Sequence, residues 1–213
     1  SLSDPLPIDQ DALFEARAAL GHRPIWVASS THAGEEAILL AAHKTLLRSH
    51  PDLHLILAPR HPERSAEVAG LITQAGLSFT RRTAGEMPGA QVYLADTMGE
   101  LGTWYALTDM VFLGGSLQPI GGHNPFEVAQ SGASVLSGTH VANFAETYAE
   151  MESLGAARMI GGADDLVAQL DTLLTDAQAR RSAMAAAVRF TEGQTDRLDM
   201  IADRLIAALE IAR

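Results

Sequence analysis

Residues 110–127 read MVFLGGSLQPIGGHNPFE, and this stretch decides the fold. Met110-Val111-Phe112-Leu113 is a short, unbroken apolar run, the pattern of a strand covered on both faces. Two glycine pairs, Gly114-Gly115 and Gly121-Gly122, then flank a crossing. Asn124-Pro125 ends it as an N-cap followed by a first-turn proline, so a helix opens there with Glu127 in its first turn. The exposed N–H groups of such a helix start make a cradle for phosphate.

The same alternation extends in both directions. Apolar runs occur upstream at 25–28, 53–57 and 92–94, and downstream at 134–136 and 158–160. Helical spacing separates them: Leu39, Ala42 and Leu46 share one face, and so do Leu166, Leu170 and Leu173. Strand–helix alternation predicts an α/β architecture, a Rossmann-like parallel sheet with helices on both faces. Ahead of it, Pro5 and Pro7 mark a linker, and a short helix over 9–20 is stopped by Gly21 and Pro24. From about Asp176 the chain reads as helical with an interruption near Gly193, and Leu198, Ile201 and Leu205 give the last helix one apolar stripe. The expected organisation is a linker and short helix over 1–23, one domain over 24–195 and a C-terminal helix over 196–213.

Composition narrows the function. The 213 residues are 47% hydrophobic, enough for one sizeable core. A net charge of −11 argues against nucleic acid as a partner, since a phosphate backbone demands a dense basic surface. With no cysteine, disulfides and thiolate metal sites are excluded. No apolar run approaches the roughly 20 residues that span a bilayer. The sequence contains no nucleophile elbow with a Ser/His/Asp set, which removes hydrolase chemistry. The one Asp-x-Asp pair, Asp9-Gln10-Asp11, precedes every strand and reads as a helix N-cap. The eight histidines put no i, i+4 pair on an expected helix, so no metal and no cofactor is expected. Without an initial Met, the chain reads as a piece of a longer protein.

Ligands of open parallel sheets gather at the carboxyl ends of the strands, so the candidate site lies in the loops after each run. The first loop carries Ser30, Thr31, Gly34 and Glu35: either small groups that admit an anion or an ordinary helix cap. Its carboxylates oppose a phosphate unless they hold sugar hydroxyls or cap backbone. The second carries Arg60 and His61, where a stiffened guanidinium either clamps an anion or pairs with Glu63. The third, Met98-Gly99-Glu100, is a turn whose backbone could read a base edge, or a plain helix start capped by Asp96 or Thr97. The fourth, with Gly115, Ser116, Gly122, His123 and Asn124, is the richest.

Taken in order, residues 30–36 (STHAGEE), 58–62 (APRHP), 96–101 (DTMGEL) and 114–127 resemble the C-terminal domain of the 3-deoxy-D-manno-octulosonic acid (Kdo) transferases. The resemblance runs from about Pro24 to the C-terminal helix, with mild departures at Ala33, Phe126 and Val128. It implies the C-terminal half of a two-lobed GT-B glycosyltransferase that binds the donor CMP-Kdo. The whole enzyme is then expected to transfer Kdo, with inversion and without metal, to a lipid A precursor in lipopolysaccharide biosynthesis. That places it at the cytoplasmic face of the bacterial inner membrane. The acceptor groove, membrane contact and general base belong to the N-terminal lobe, so this half carries no catalytic residue and is inactive alone. The resemblance further implies that Arg60 and the helix at Asn124 neutralise the leaving phosphate. Glu127 holds ribose hydroxyls, Met98-Gly99-Glu100 faces cytosine, and His123 donates to phosphate or buttresses its turn. The alternatives are a donor lobe for a UDP- or GDP-sugar and a nucleotide-binding module without catalysis.

Overall fold

Strand β1 (Ile25–Thr31) sorts its side chains by twos: Trp26 and Ala28 enter one apolar core, Val27 the other. Strand β2 (His54–Pro59) repeats the pattern, with Leu55 and Leu57 on the first side and Ile56 and Ala58 on the second. Alternate side chains point to opposite faces, so a strand apolar on both must be covered on both. The computed structural model describes residues 4–212; residues 1–3 of the expected linker, and Arg213, lie outside them. Five further strands join: β3 (Phe79–Arg81), β4 (Val92–Leu94), β5 (Met110–Leu113), β6 (Ser134–Ser137) and β7 (Ala157–Met159). They form one seven-stranded sheet in the order β3-β4-β2-β1-β5-β6-β7. Every pairing is parallel.

Helices α2 (Glu36–Leu46), α3 (Ser65–Gln74) and α7 (Ala163–Thr175) cover the Trp26 face. Leu166, Leu170 and Leu173 of α7 are fully buried there, each contributing about 1.5–3 kcal/mol by area. The opposite face takes α4 (Leu101–Tyr105), α5 (Phe126–Gln130), α6 (Ala145–Leu154) and the first half of α8 (Ala177–Ile211). Helix α1 (Gln10–Leu20) packs beside α4, its first turn capped by the Asp9 carboxylate on the Ala12 N–H. That use of Asp9 is the N-cap that the Asp-x-Asp spacing suggests.

One expectation is corrected and one strand is added. Gly193 does not interrupt the last helix: α8 runs unbroken over 35 residues. One glycine costs a helix interior only about 1 kcal/mol. Beside it, Gln194 and Arg197 bond the Glu150 carboxylate of α6 and hold the backbone in register. Strand β3 was not foreseen, because its three residues are only partly buried and carry no apolar alternation.

The chain order places the crevice. β1 lies between β2 and β5, so the connections leave it in opposite directions. The loops that follow β1 and β5 therefore diverge at the carboxyl edge of the sheet, and a cleft opens there.

Candidate functional site

The floor of the cleft is set by an irregularity in β1. Ser29 pairs with Ala58 and Thr31 with Pro59, leaving Ser30 as an extra residue. Ser30 has φ +53°, the one described non-glycine residue in the left-handed region. Such a conformation costs on the order of 1–3 kcal/mol and persists only where its surroundings enforce it. Here the neighbour is Gly114 at the end of β5, whose N–H donates to Ser29 O at 2.8 Å. A Cβ on Gly114 would stand 2.4 Å from Ser30 O, so only glycine lets the two strand ends meet. Below them, Tyr105 Oη and Ser29 Oγ share a hydrogen bond of 2.7 Å, and full burial pushes the phenol up.

The loop after β5 is organised by a carboxylate from the loop after β1. Glu35, fully buried, accepts from Gly115 N (2.9 Å), Ser116 N (2.8 Å) and Leu117 N (3.0 Å), and from His32 N (3.0 Å). Successive N–H groups make an anion-binding concavity, and here the anion is the protein's own. Glu35 therefore caps backbone, the second of the two roles its position allowed. Glu36, also buried, pairs with Arg64 and receives the Thr31 hydroxyl. Ser116 is closed in as well, donating Oγ to Leu113 O and accepting from Gly138 N.

Around this frame lies a cleft of about 420 Å³ lined by Ser30, Arg60, Met98, Gly99, His123, Asn124 and Glu127, among others. These seven expected residues come together from four separate loops and the first turn of α5. The Arg60 guanidinium makes no ion pair or side-chain hydrogen bond among the described residues. Glu63 instead stands 3.7 Å from His61, so the alternative in which it neutralises Arg60 is not realised. The Glu127 carboxylate is likewise without a partner among the described residues.

Other expected residues face elsewhere. Thr31, Glu35 and Ser116 are spent inside the protein, as above. Glu100 is held by Arg82 through two bonds, 3.1 and 2.9 Å, and by the Thr97 hydroxyl. The Arg82 bonds keep its carboxyl below the usual range. Gly34 packs by Gln118, and Gly122 uses its N–H on Gly115 O. His61 sits outside the cleft lining, edge-on to His32 with ring centroids 5.5 Å apart. The helix after Asn124 is also short. α5 spans five residues, and its Phe126 N–H is already taken by Asn124 Oδ1 at 3.0 Å. Proline at 125 has no N–H to add.

Three contributors were missed. Tyr105 lines the cleft from α4, just beyond the 96–101 motif, and Phe144 from the turn before α6, outside the quoted motifs. His32 puts its Nε2 2.9 Å from His123 Nε2, with the rings 11° from parallel. Burial lowers both imidazoles; Glu35 opposes this at His32, whereas the neighbouring His32 and Arg60 reinforce it at His123. No group of three or more His, Asp or Glu among the described residues could hold a metal.

Comparison with known proteins gives this geometry its context. No protein-family profile matches the chain. A solved structure does: over 85% of this chain and 98% of its own length, at 33% identity and a TM-score of 0.78, it is similar to the C-terminal CMP-Kdo binding domain of WaaA from Acinetobacter baumannii. The chain belongs to the Kdo transferase family. The Kdo transferase of Haemophilus influenzae is 42% identical over 161 residues, 74% of this chain and 38% of that protein. The Kdo transferase of Bordetella pertussis is 35% identical over 192 residues, 84% of this chain and 44% of that protein. The chain thus spans less than half the length of these Kdo transferases, and its seven-stranded sheet is the C-terminal domain of a GT-B glycosyltransferase.

Proposed function

We propose that the chain is the donor-binding half of a Kdo transferase and that the CMP moiety of CMP-Kdo occupies the cleft at the carboxyl edge of the sheet. The observation that carries this is Arg60, an unpaired guanidinium facing a cleft in a chain of net charge −11. An acidic domain must build its anion site locally, and Arg60 supplies the charge. The N-terminus of α5 adds little, with one N–H spent and one missing, so Arg60 rather than the helix stabilises the phosphate as charge develops on it. Glu127 accepts from ribose hydroxyls, and the exposed Met98-Gly99 turn covers the base. Glu35, Glu100, Gly115 and Ser116 hold the loops that present these groups.

The whole enzyme then transfers Kdo with inversion to a lipid A precursor at the cytoplasmic face of the inner membrane. Its acceptor groove, membrane contact and general base belong to the other half. The overhanging part of α8, with Leu198, Ile201 and Leu205 each about half exposed, is the surface that half covers. Among the described residues no helix is long and apolar enough to cross a membrane.

Calorimetric titration of CMP into wild type and Arg60→Ala tests the phosphate assignment. The variant should bind about 10–150-fold more weakly, the equivalent of roughly 1.5–3 kcal/mol for a hydrogen bond to a charged group. Unchanged affinity in a folded Arg60→Ala protein removes Arg60 from the site. Thermal shifts with CMP, UMP, UDP and GDP decide the base, and stabilisation by GDP or UDP but not CMP points to a different donor.

A further inference from the structure

His32 lies one shell behind the cleft, yet it is bonded to a residue that lines it. The Nε2–Nε2 separation of 2.9 Å, with near-parallel rings and centroids 5.2 Å apart, is an edge-to-edge imidazole pair joined by one N–H···N bond. Both rings rest on Gly115, where a Cβ would approach His123 to 2.9 Å and His32 to 3.4 Å. Gly115 is itself fixed by Glu35. The pair is therefore held rigidly by its surroundings.

We propose that His32 is a positioning residue for the phosphate site, acting through His123, and that the pair takes up one proton when a nucleotide phosphate enters the cleft. The proposal rests on the nucleotide reading above. When His32 Nε2 donates, His123 must carry its own proton on Nδ1, which has no protein partner among the described residues. His123 is then a fixed donor on the wall of the cleft. A proton from solvent can settle on His32 Nδ1, giving an imidazolium whose Nε2–H still donates to His123. A second proton would set two N–H groups face to face, so the pair accepts one only.

The charges around the pair decide when that happens. Glu35 and Glu36, from the start of α2, favour the proton at His32. Arg60 and His61, from the loop after β2, oppose it at both rings, as does burial. An anion beside Arg60 cancels the opposing cation and leaves the carboxylates to act. Anion binding and proton binding thus favour one another, a reciprocal linkage.

The probe is cytidine 5′-(methyl phosphate), a diester whose own charge is constant near neutrality. It is titrated calorimetrically into the chain in buffers of different ionisation enthalpy, which counts protons exchanged per ligand bound. Wild type should take up as much as about one proton, and its affinity should rise as pH falls from about 8 to about 6, at up to tenfold per unit. In His32→Gln the amide still donates to His123 but does not titrate. Uptake should vanish and the pH slope flatten, while affinity at pH 8 should exceed that of His32→Ala. Binding by wild type without proton uptake overturns the inference, and so does an undiminished slope in His32→Gln. Failure of the diester to bind at all overturns the nucleotide reading with it.

Discussion

Replacing Glu35 by Gln should destabilise the chain severely although the side chain keeps its size. One carboxylate oxygen accepts from Ser116 N and Leu117 N, the other from His32 N and Gly115 N. Whichever way the amide is turned, its NH2 faces two backbone N–H donors and satisfies neither. Each orphaned buried donor costs about 1–3 kcal/mol, so the variant should lose roughly 2–6 kcal/mol. For a domain of this size that is a fall in Tm of about 5–20 °C. Urea unfolding followed by circular dichroism measures it directly. A Gln variant within about 0.5 kcal/mol of wild type would refute the assignment of Glu35 as the anchor of the loop after β5.

Two further outcomes follow from the packing. His43 and His54 are buried neutral, and burial lowers both to about 4. In the unfolded chain they titrate near 6.5, so that state binds more protons between the two values. Their stabilisation is complete above about pH 6.5 and is lost as pH falls toward 4, at about 2 kcal/mol each by pH 5. The urea midpoint should drop from pH 7 to pH 5, and a higher midpoint at pH 5 contradicts the burial argument. Hydrogen exchange should show α8 protected as far as Phe190, its last buried residue, and weakly protected over residues 200–211. An unpacked helical end of this length is marginal in water, and core-like protection there means it packs on its own domain.

The sheet was legible because its signal is local. Apolar runs fully covered on both faces, separated by helical spacing, fix a parallel sheet whatever the loops do. Even so, β3 was not visible, since its residues are only partly buried and owe their strand geometry to pairing with β4. Gly193 misled for the opposite reason, as local propensity yielded to anchoring by Glu150. In the site, the motifs pointed to the right loops but not to the direction of each side chain. Glu35 and Glu127 look alike in sequence, both near a helix start, yet one is buried under four N–H groups and the other lies free in the cleft. Spacing cannot separate them, because three of the four partners of Glu35 lie about 80 residues away. The His32–His123 bond spans 91 residues and was hidden for the same reason.

The central claim is that CMP lies among the loops after β1, β2, β4 and β5. An amide NMR titration of the isotope-labelled chain with CMP tests it most directly, since binding, location and fold are read together. Saturable shifts should concentrate at Ser30, Arg60, Met98-Gly99 and Gly122-His123-Asn124, and UMP should produce weaker ones. Shifts gathered instead at the opposite edge of the sheet, around Arg17, Arg23 and Arg180, would contradict the account, as would no response to CMP at millimolar concentration.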